Sequence, residues 1–326
     1  MSGTDDAGKI LITGAGGFVG RWLLARLKNN LPAGSTVIAL TNEDAALDAD
    51  QLVNVDIRDH SRIAQLIKEA QPTAVIHLAA ISSPPFAKAN QRLTWDVNFT
   101  GTMNLAQAVL QHARDARFVF VGTSESYGGS FNKTKAPANE SLVLDPTHPY
   151  AASKAAADLL IGQMARDGLK AIRFRPFNHT GPGQPPSFVV PAFAAQIAAI
   201  EAGEQAPVMK VGNLDAFRDF SDVRDIVDAY ARAISQALSF EPGLILNLAS
   251  GQPRRIGDIL AELVALAKVT IRVEPDPALL RPNEMPRAVG DASRAREVLG
   301  WKPSFEFHKT LMDVLEHFRS LNRKSG

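Results

Sequence analysis

Tyr150 stands one helical turn before Lys154, in the run Tyr150-Ala151-Ala152-Ser153-Lys154. Positions four apart share a helix face, so a phenol and an amine here can serve one reacting centre. Free tyrosine titrates near ~10 and is a poor acid at neutral pH. An ammonium within about 4–6 Å favours the phenolate and brings the group toward the working range. The pair therefore suits proton transfer to an oxygen on which charge develops. The spacing alone is common on solvated helix faces. Its weight comes from what stands upstream.

Lys9-Ile10-Leu11-Ile12-Thr13 reads as a short buried strand. Gly14-Ala15-Gly16-Gly17-Phe18-Val19-Gly20 follows, and Trp22-Leu23-Leu24-Ala25-Arg26-Leu27 then shows helical periodicity. Strand, glycine turn and helix form the setting of a dinucleotide fingerprint. Gly14 would allow the tight turn, Gly17 the approach of backbone amides to a pyrophosphate, and Gly20 close helix–strand packing. Val19 stands where a G-x-G-x-x-G spacing counted from Gly14 needs its last glycine. Gly20-Arg21-Trp22 also lacks the lysine and hydroxyl of a Walker A loop. An ordinary βα turn is the bland alternative, and the flanking strand and helix favour phosphate binding over it.

The elements that must position these groups alternate. Expected strands are Thr36–Leu40, Leu52–Val55, Ala74–Ala80, Arg117–Val121 and Ala171–Phe174, with helices after the third strand, from Trp95 to Ala113, and from Tyr150 to Arg166. The alternation predicts an α/β fold, a Rossmann-type doubly wound parallel sheet with right-handed crossovers. Ligands of such sheets sit outside the carboxyl ends of the strands. The glycine loop, Asp56, Ala79-Ala80, Thr123 and Phe177-Asn178 all fall there. Past Pro176 the loops become rich in Pro and Gly. Residues 1–176 are read as a dinucleotide-binding domain to which 220–240 returns. Residues 177–326 are read as a smaller α/β substrate-binding lobe.

Composition narrows the function classes. A net charge of +1 provides no bulk field for nucleic acid or an anionic membrane. The absence of cysteine excludes disulfides, thiolate metal sites and cysteine nucleophiles, and fits a reducing compartment. The 7 histidines show no close pair at metal-ligand spacing, so no metal site is expected. No apolar run reaches membrane-spanning length. A cytoplasmic enzyme is expected.

Taken together, Thr13-Gly14-x-x-Gly17-Phe18-x-Gly20, Asp56, His77-Leu78-Ala79-Ala80, Asn98, Tyr150-x-x-x-Lys154 and Arg175-Pro176-Phe177-Asn178 resemble the extended short-chain dehydrogenase/reductases of the nucleotide-sugar type. The resemblance spans nearly the full chain. Three further runs are most similar to the GDP-4-keto-6-deoxy-D-mannose reductases, which form GDP-D-rhamnose. They are Phe177 to Gln184, Val211 to Asp225 (through Arg218-Asp219-Phe220-Ser221-Asp222), and Leu280 to Pro286.

The resemblance implies a division of labour. Hydride passes from a nicotinamide to the C4 carbonyl, Thr123 binds the carbonyl oxygen, Tyr150 protonates it, and Lys154 holds the nicotinamide ribose. Cofactor contacts are implied at Gly14, Gly16, Gly17, Phe18, Val19, Gly20, Asp56, Ile57, Leu78, Ala79, Ala80 and Asn98, with Tyr150 and Lys154 beside them. Asp56 would bond the adenine amine, and it suits a helix cap equally well. Substrate contacts are implied at Ser82, Ser124, Asn178, Arg218, Arg281 and Glu284, the two arginines meeting the diphosphate. The second strand ends in Thr41-Asn42, with Glu43 and Asp44 late, which leans toward NADPH and leaves NADH open. Glu125 matches the base of related 4,6-dehydratases, and the reductases also carry it. A nucleotide-sugar dehydratase or epimerase is thus the alternative reading. A non-catalytic dinucleotide-sensing module is a more remote one. The helices from Trp95 and from Tyr150 often pair between subunits in this family, which implies a homodimer. Tyr127 is expected to serve packing.

Overall fold

A computed structural model describes residues 7–42, 46–235, 240–280 and 285–325. The first part of the chain runs β1 (Lys9–Thr13), α1 (Phe18–Lys28), β2 (Thr36–Thr41), β3 (Gln51–Asn54), α2 (His60–Ala70) and β4 (Ala74–His77). It continues through α3 (Pro84–Ala89), α4 (Gln91–Trp95), a π-helical turn at Asp96–Gly101, α5 (Thr102–His112) and β5 (Arg117–Val121). Next come α6 (Pro149–Arg166), β6 (Lys170–Pro176), β7 (Asn178–Thr180), α7 (Val189–Glu201), β8 (Val208–Val211), β9 (Phe217–Asp222) and α8 (Val223–Ser235). The chain ends with β10 (Leu244–Leu248), β11 (Pro253–Arg255), α9 (Ile256–Ala265), β12 (Arg272–Pro275), β13 (Arg287–Ala288), α10 (Ser293–Leu299) and α11 (Phe307–Ser325).

Among the described residues, a seven-stranded sheet has the order β10-β6-β5-β4-β1-β2-β3, with every neighbouring pair parallel. Strand alternation explains how both faces are buried. Leu11, Val75, Phe118 and Phe120 point to one core, shared with Ile63, Leu105, Val109 and Ile161 of α2, α5 and α6. Their neighbours Ile10, Ile12, Ile76 and Val119 point to the other, shared with Leu23, Leu27, Ile226 and Tyr230 of α1 and α8. Sheets covered on both faces read as continuous apolar runs, as β1, β4 and β5 do. A third core joins α7, α9 and α11 through residues such as Phe193, Ile197, Leu260 and Leu311.

The segment that returns to the large sheet is longer than the expected 220–240, since it includes β10. Leu244 to Leu248 pair with Ile172 to Pro176 of β6. Leu244, Leu246 and Leu248 enter the core beside α8. The run is short and apolar, and periodicity alone does not tell one sheet from another. Residues 236–239, within the expected returning segment, lie outside the described residues. The expected strand through Ala80 ends at His77, because the Leu78 and Ala79 amides turn to bond Thr13. The helix expected from Trp95 begins at Gln91 and contains the π-helical turn. There Gly101 lies so close to Ile57 that an added Cβ would meet its Cδ1 at 2.6 Å.

Asp158 joins α6 to β6. It is 1% exposed and receives Arg173 Nη1 at 2.8 Å and Arg175 Nε at 2.9 Å. Arg175 Nη2 adds a bond of 3.0 Å. A carboxylate this deep persists because both oxygens are answered by guanidinium donors.

Candidate active site

The glycine loop crosses the sheet at the break between β1 and β4, where the strand order reverses. Gly14 has φ +69°, and a Cβ there would meet the Ala79 amide nitrogen at 2.7 Å. Only glycine fits both the left-handed turn and that approach. Gly20 allows no Cβ either, since one would lie 2.5 Å from the Gly14 and Ala15 carbonyl oxygens. Gly17 is the N-cap of α1 and supplies no side-chain acceptor to its first turn. The amides of that helix end are thus available to an anion. Gly16 carries its carbonyl toward Arg21 Nε at 3.0 Å. Phe18 stacks on His179 of β7, with ring centroids 6.4 Å apart and 8° between planes. Trp22 Nε1 donates to Pro182 O at 2.9 Å. The glycine loop and the first strand of the second lobe are therefore held together, with Val19 beside them on α1.

A buried chain of hydrogen bonds fixes the loop after β4. The Ala79 amide donates to Thr13 Oγ1 at 3.2 Å, and Thr13 Oγ1 lies 2.7 Å from His77 Nδ1. His77 Nε2 lies 2.8 Å from Thr102 Oγ1, which itself donates to Asn98 O at 2.7 Å. The Thr102 hydrogen is thus already committed, so Nε2 carries the imidazole proton and Nδ1 accepts. Burial, with Lys154 nearby, pushes His77 down to about 3, so the ring is neutral.

Asn98 is fully buried, and its amide is fully engaged. Oδ1 accepts from Ile81 N at 2.8 Å, while Nδ2 donates to Ile81 O at 3.0 Å and Ser153 Oγ at 3.0 Å. It ties the Leu78-Ala79-Ala80 segment to the first turn of α6.

Tyr150 and Lys154 lie on α6 as the spacing predicts. The Thr123 hydroxyl lies near the Tyr150 phenol and favours its ionised form. Thr123 caps the segment after β5, accepting from Glu125 N at 3.2 Å, and Ser124 beside it is buried. Lys154 is 2% exposed, with Nζ 4.5 Å from the centroid of the Phe120 ring. The electrostatics differ from the expectation. Burial raises the Tyr150 phenol above its ordinary value and the Glu125 charge raises it further, with only the Thr123 hydroxyl opposing. Burial also brings Lys154 down to about 7, against the pull of Asp158. Desolvation thus outweighs the cation effect read from the sequence, and the phenol holds its proton.

Glu125 Oε2 lies 2.9 Å from His148 Nε2. His148 is the N-cap of α6 and stacks on Tyr150, with centroids 6.1 Å apart and 13° between planes. Sequence reasoning passed over His148. The signal was present: Pro149 at the first helical position makes the preceding residue the cap.

The remaining expected residues are spread around this centre. Both Asp56 oxygens are engaged by Arg58, which holds the carboxyl below its usual range, so an adenine amine would share that carboxylate with a guanidinium. Asp56 caps no helix, since Asp59 fills that place for α2. Ile57 is buried, and its carbonyl accepts from Asn104 Nδ2 at 3.2 Å. Ser82 is exposed in the loop before α3, and Asn178 is half-buried on β7. Arg218 on β9 donates through Nη1 to Phe217 O at 2.9 Å and Met285 O at 2.7 Å. Arg281, Glu284, Glu43 and Asp44 lie outside the described residues. Tyr127 is packing, fully buried, with its hydroxyl donating to Asn247 Oδ1 at 2.7 Å.

The same fold is found among known proteins. The profile of the GDP-mannose 4,6-dehydratases matches residues 11–314. The chain belongs to the GDP-mannose 4,6-dehydratase family. Within this wider group, a GDP-6-deoxy-D-mannose reductase from Pseudomonas aeruginosa is 34% identical over 317 residues, covering 97% of this chain and 99% of that one. The structure of RMD from Pseudomonas aeruginosa complexed with NADPH has a TM-score of 0.83 at 32% identity, across 97% of this chain and 100% of that one. A Thermus thermophilus UDP-glucose 4-epimerase in complex with NAD has a TM-score of 0.82 at 27% identity, across 95% and 99% of the two chains. The Rossmann-type fold expected from the alternation is the fold of these relatives, and the family is one of nucleotide-sugar oxidoreductases.

Proposed function

We propose that this protein reduces the C4 keto group of GDP-4-keto-6-deoxy-D-mannose to give GDP-D-rhamnose, with NADPH as hydride donor. The observation that carries the reading is the Tyr150–Lys154 pair on α6, with Lys154 buried and Thr123 close to the phenol at the end of β5. A reductase needs a phenol that is protonated before hydride arrives, and burial with Glu125 keeps Tyr150 in that form. The GDP-6-deoxy-D-mannose reductase that matches over nearly its whole length supports the substrate. The NADPH complex of RMD supports the cofactor, and NADH remains a weaker second donor.

The residues fit a dinucleotide. The uncapped end of α1 behind Gly14, Gly16 and Gly17 suits the pyrophosphate, and Asp56 would bond the adenine amine by resemblance. Bound NADPH supplies the hydride. Thr123 donates to the carbonyl oxygen, and Tyr150 gives that oxygen its proton as the C–O double bond becomes single. Lys154 then favours the phenolate left behind. Arg218 on β9 is suited to one phosphate of the substrate, with Asn178, Ser124 and Ser82 toward the hexose. Arg281 and Glu284 belong to the same proposal by resemblance.

The test is stoichiometric. Purified protein given GDP-4-keto-6-deoxymannose is expected to oxidise one NADPH per sugar, with GDP-rhamnose identified by product NMR. Glu125 beside Tyr150 favours a second reading, a dehydratase that recycles its cofactor. Conversion of GDP-mannose to a keto sugar with no net NADPH loss would establish that reading and defeat the first.

We also propose a cytoplasmic homodimer built on the α4–α5 and α6 helices. Leu159 is 63% exposed and Trp95 38%, both on those elements. Large exposed apolar side chains grouped on two helices suit a helical interface. Light scattering is expected to return twice the chain mass, and a monomer mass would remove the dimer. Among the described residues, no helix is long and apolar enough to cross a membrane.

A further inference from the structure

His148 has two ring nitrogens and both are engaged. Nδ1 accepts from the Ala151 amide at 3.3 Å and caps α6. The ring proton of the neutral imidazole is therefore on Nε2, which faces Glu125 Oε2 at 2.9 Å. The ring face meanwhile lies nearly parallel to Tyr150. One side chain thus touches the start of the helix that carries Tyr150, the ring of Tyr150 itself, and the carboxylate that acts on its phenol. A simple N-cap needs none of the last two contacts, and serine, threonine, aspartate or asparagine would cap at least as well.

We propose that His148 is a positioning residue for the reduction, its imidazole edge packed 2.9 Å from Glu125 Oε2 so that carboxylate and phenol stay in fixed register. The inference rests on the reductase reading above. Without the imidazole packed against it, the Glu125 carboxylate can rotate toward solvent. Tyr150 then loses both the stacked ring and the fixed charge beside it. Four groups act on or touch Tyr150: Thr123 and Glu125 from the segment after β5, His148 at the head of its own helix, and Tyr230 from α8. Among these, His148 touches both the Tyr150 ring and the Glu125 carboxylate.

His148→Asn separates capping from positioning, since asparagine caps well but is too short to replace the imidazole. The expected result is a kcat for keto-sugar reduction lowered about 10-fold, the scale of a small misplacement of a reacting group. The KM for NADPH and the melting temperature should stay near wild type. Glu125→Ala should lower kcat as well, and the double variant should be no slower than Glu125→Ala alone, because both changes break one link. His148→Asn at the wild-type rate would overturn the proposal. So would losses that multiply in the double variant, which would leave His148 a structural cap only. A wild-type protein that fails to oxidise NADPH with the keto sugar would instead refute the reductase reading, so the two failures are distinct.

Discussion

Tyr150→Phe is expected to lower kcat for NADPH-dependent reduction by roughly 10²–10⁴-fold, the usual contribution of a positioned general acid. The substitution removes one oxygen and little else. Phenylalanine keeps the ring that stacks on His148 and keeps its place in the first turn of α6. The lost atom is the one near the Thr123 hydroxyl. NADPH affinity, followed by the quenching or enhancement of nicotinamide fluorescence, should stay within a few-fold of wild type, because the glycine loop and Lys154 are untouched. Loss of binding in step with turnover would mean that Tyr150 shapes the site and does not act in the chemistry. A variant that still turns over at a tenth of the normal rate would move the proton donor elsewhere.

Asp158→Ala is expected to cost about 3–5 kcal/mol of folding stability, the scale of breaking a buried pair by removing one partner. Arg175 has a side chain only 4% exposed, and Arg173 only 12%. Without the carboxylate, two guanidinium groups are left in a dry setting with a shared counter-charge gone. Arg175 retains the Tyr127 hydroxyl at 3.1 Å and Arg173 the Gly243 carbonyl at 2.9 Å, neither of which carries charge. Whole domains are stable by about 5–15 kcal/mol, so the variant should sit near the edge of folding. Urea titration monitored by circular dichroism measures the loss. A change under 1 kcal/mol would show that water reaches the arginines freely. Asp158 also opposes the effect of burial on Lys154 one turn away, so the variant should fall in activity more than its folded fraction explains.

How much of this was legible beforehand differs from element to element. β1, the glycine turn and α1 follow from local pattern, since a buried strand, a left-handed glycine and an amphipathic turn are each local demands. The approach of Ala79 to Gly14 comes from the distant loop after β4, whereas Gly20 could be read from sequence because its neighbours in the chain set the geometry. The Tyr150–Lys154 face was legible for the same reason, and its charge balance was not. Burial of Lys154 and the field of Glu125 come from elements distant in sequence. Asn98 shows the same limit. Its residue type suggests a ligand contact, but Ile81 and Ser153 take up its amide, and only the folded chain brings them to it. β10 escaped because an apolar run of five residues carries no mark of the strand it will join.

The position of β10 has a consequence for anyone dividing this molecule. The peptide that completes the edge of the nucleotide-binding sheet is delivered only after the chain has already built β7 to β9 elsewhere. Cutting at the apparent boundary near residue 176 would strip that strand away and leave the β6 edge as a row of unsatisfied amides and carbonyls, a template for self-association. The sheet is therefore assembled from two distant stretches of the chain, and a cut near residue 176 separates them.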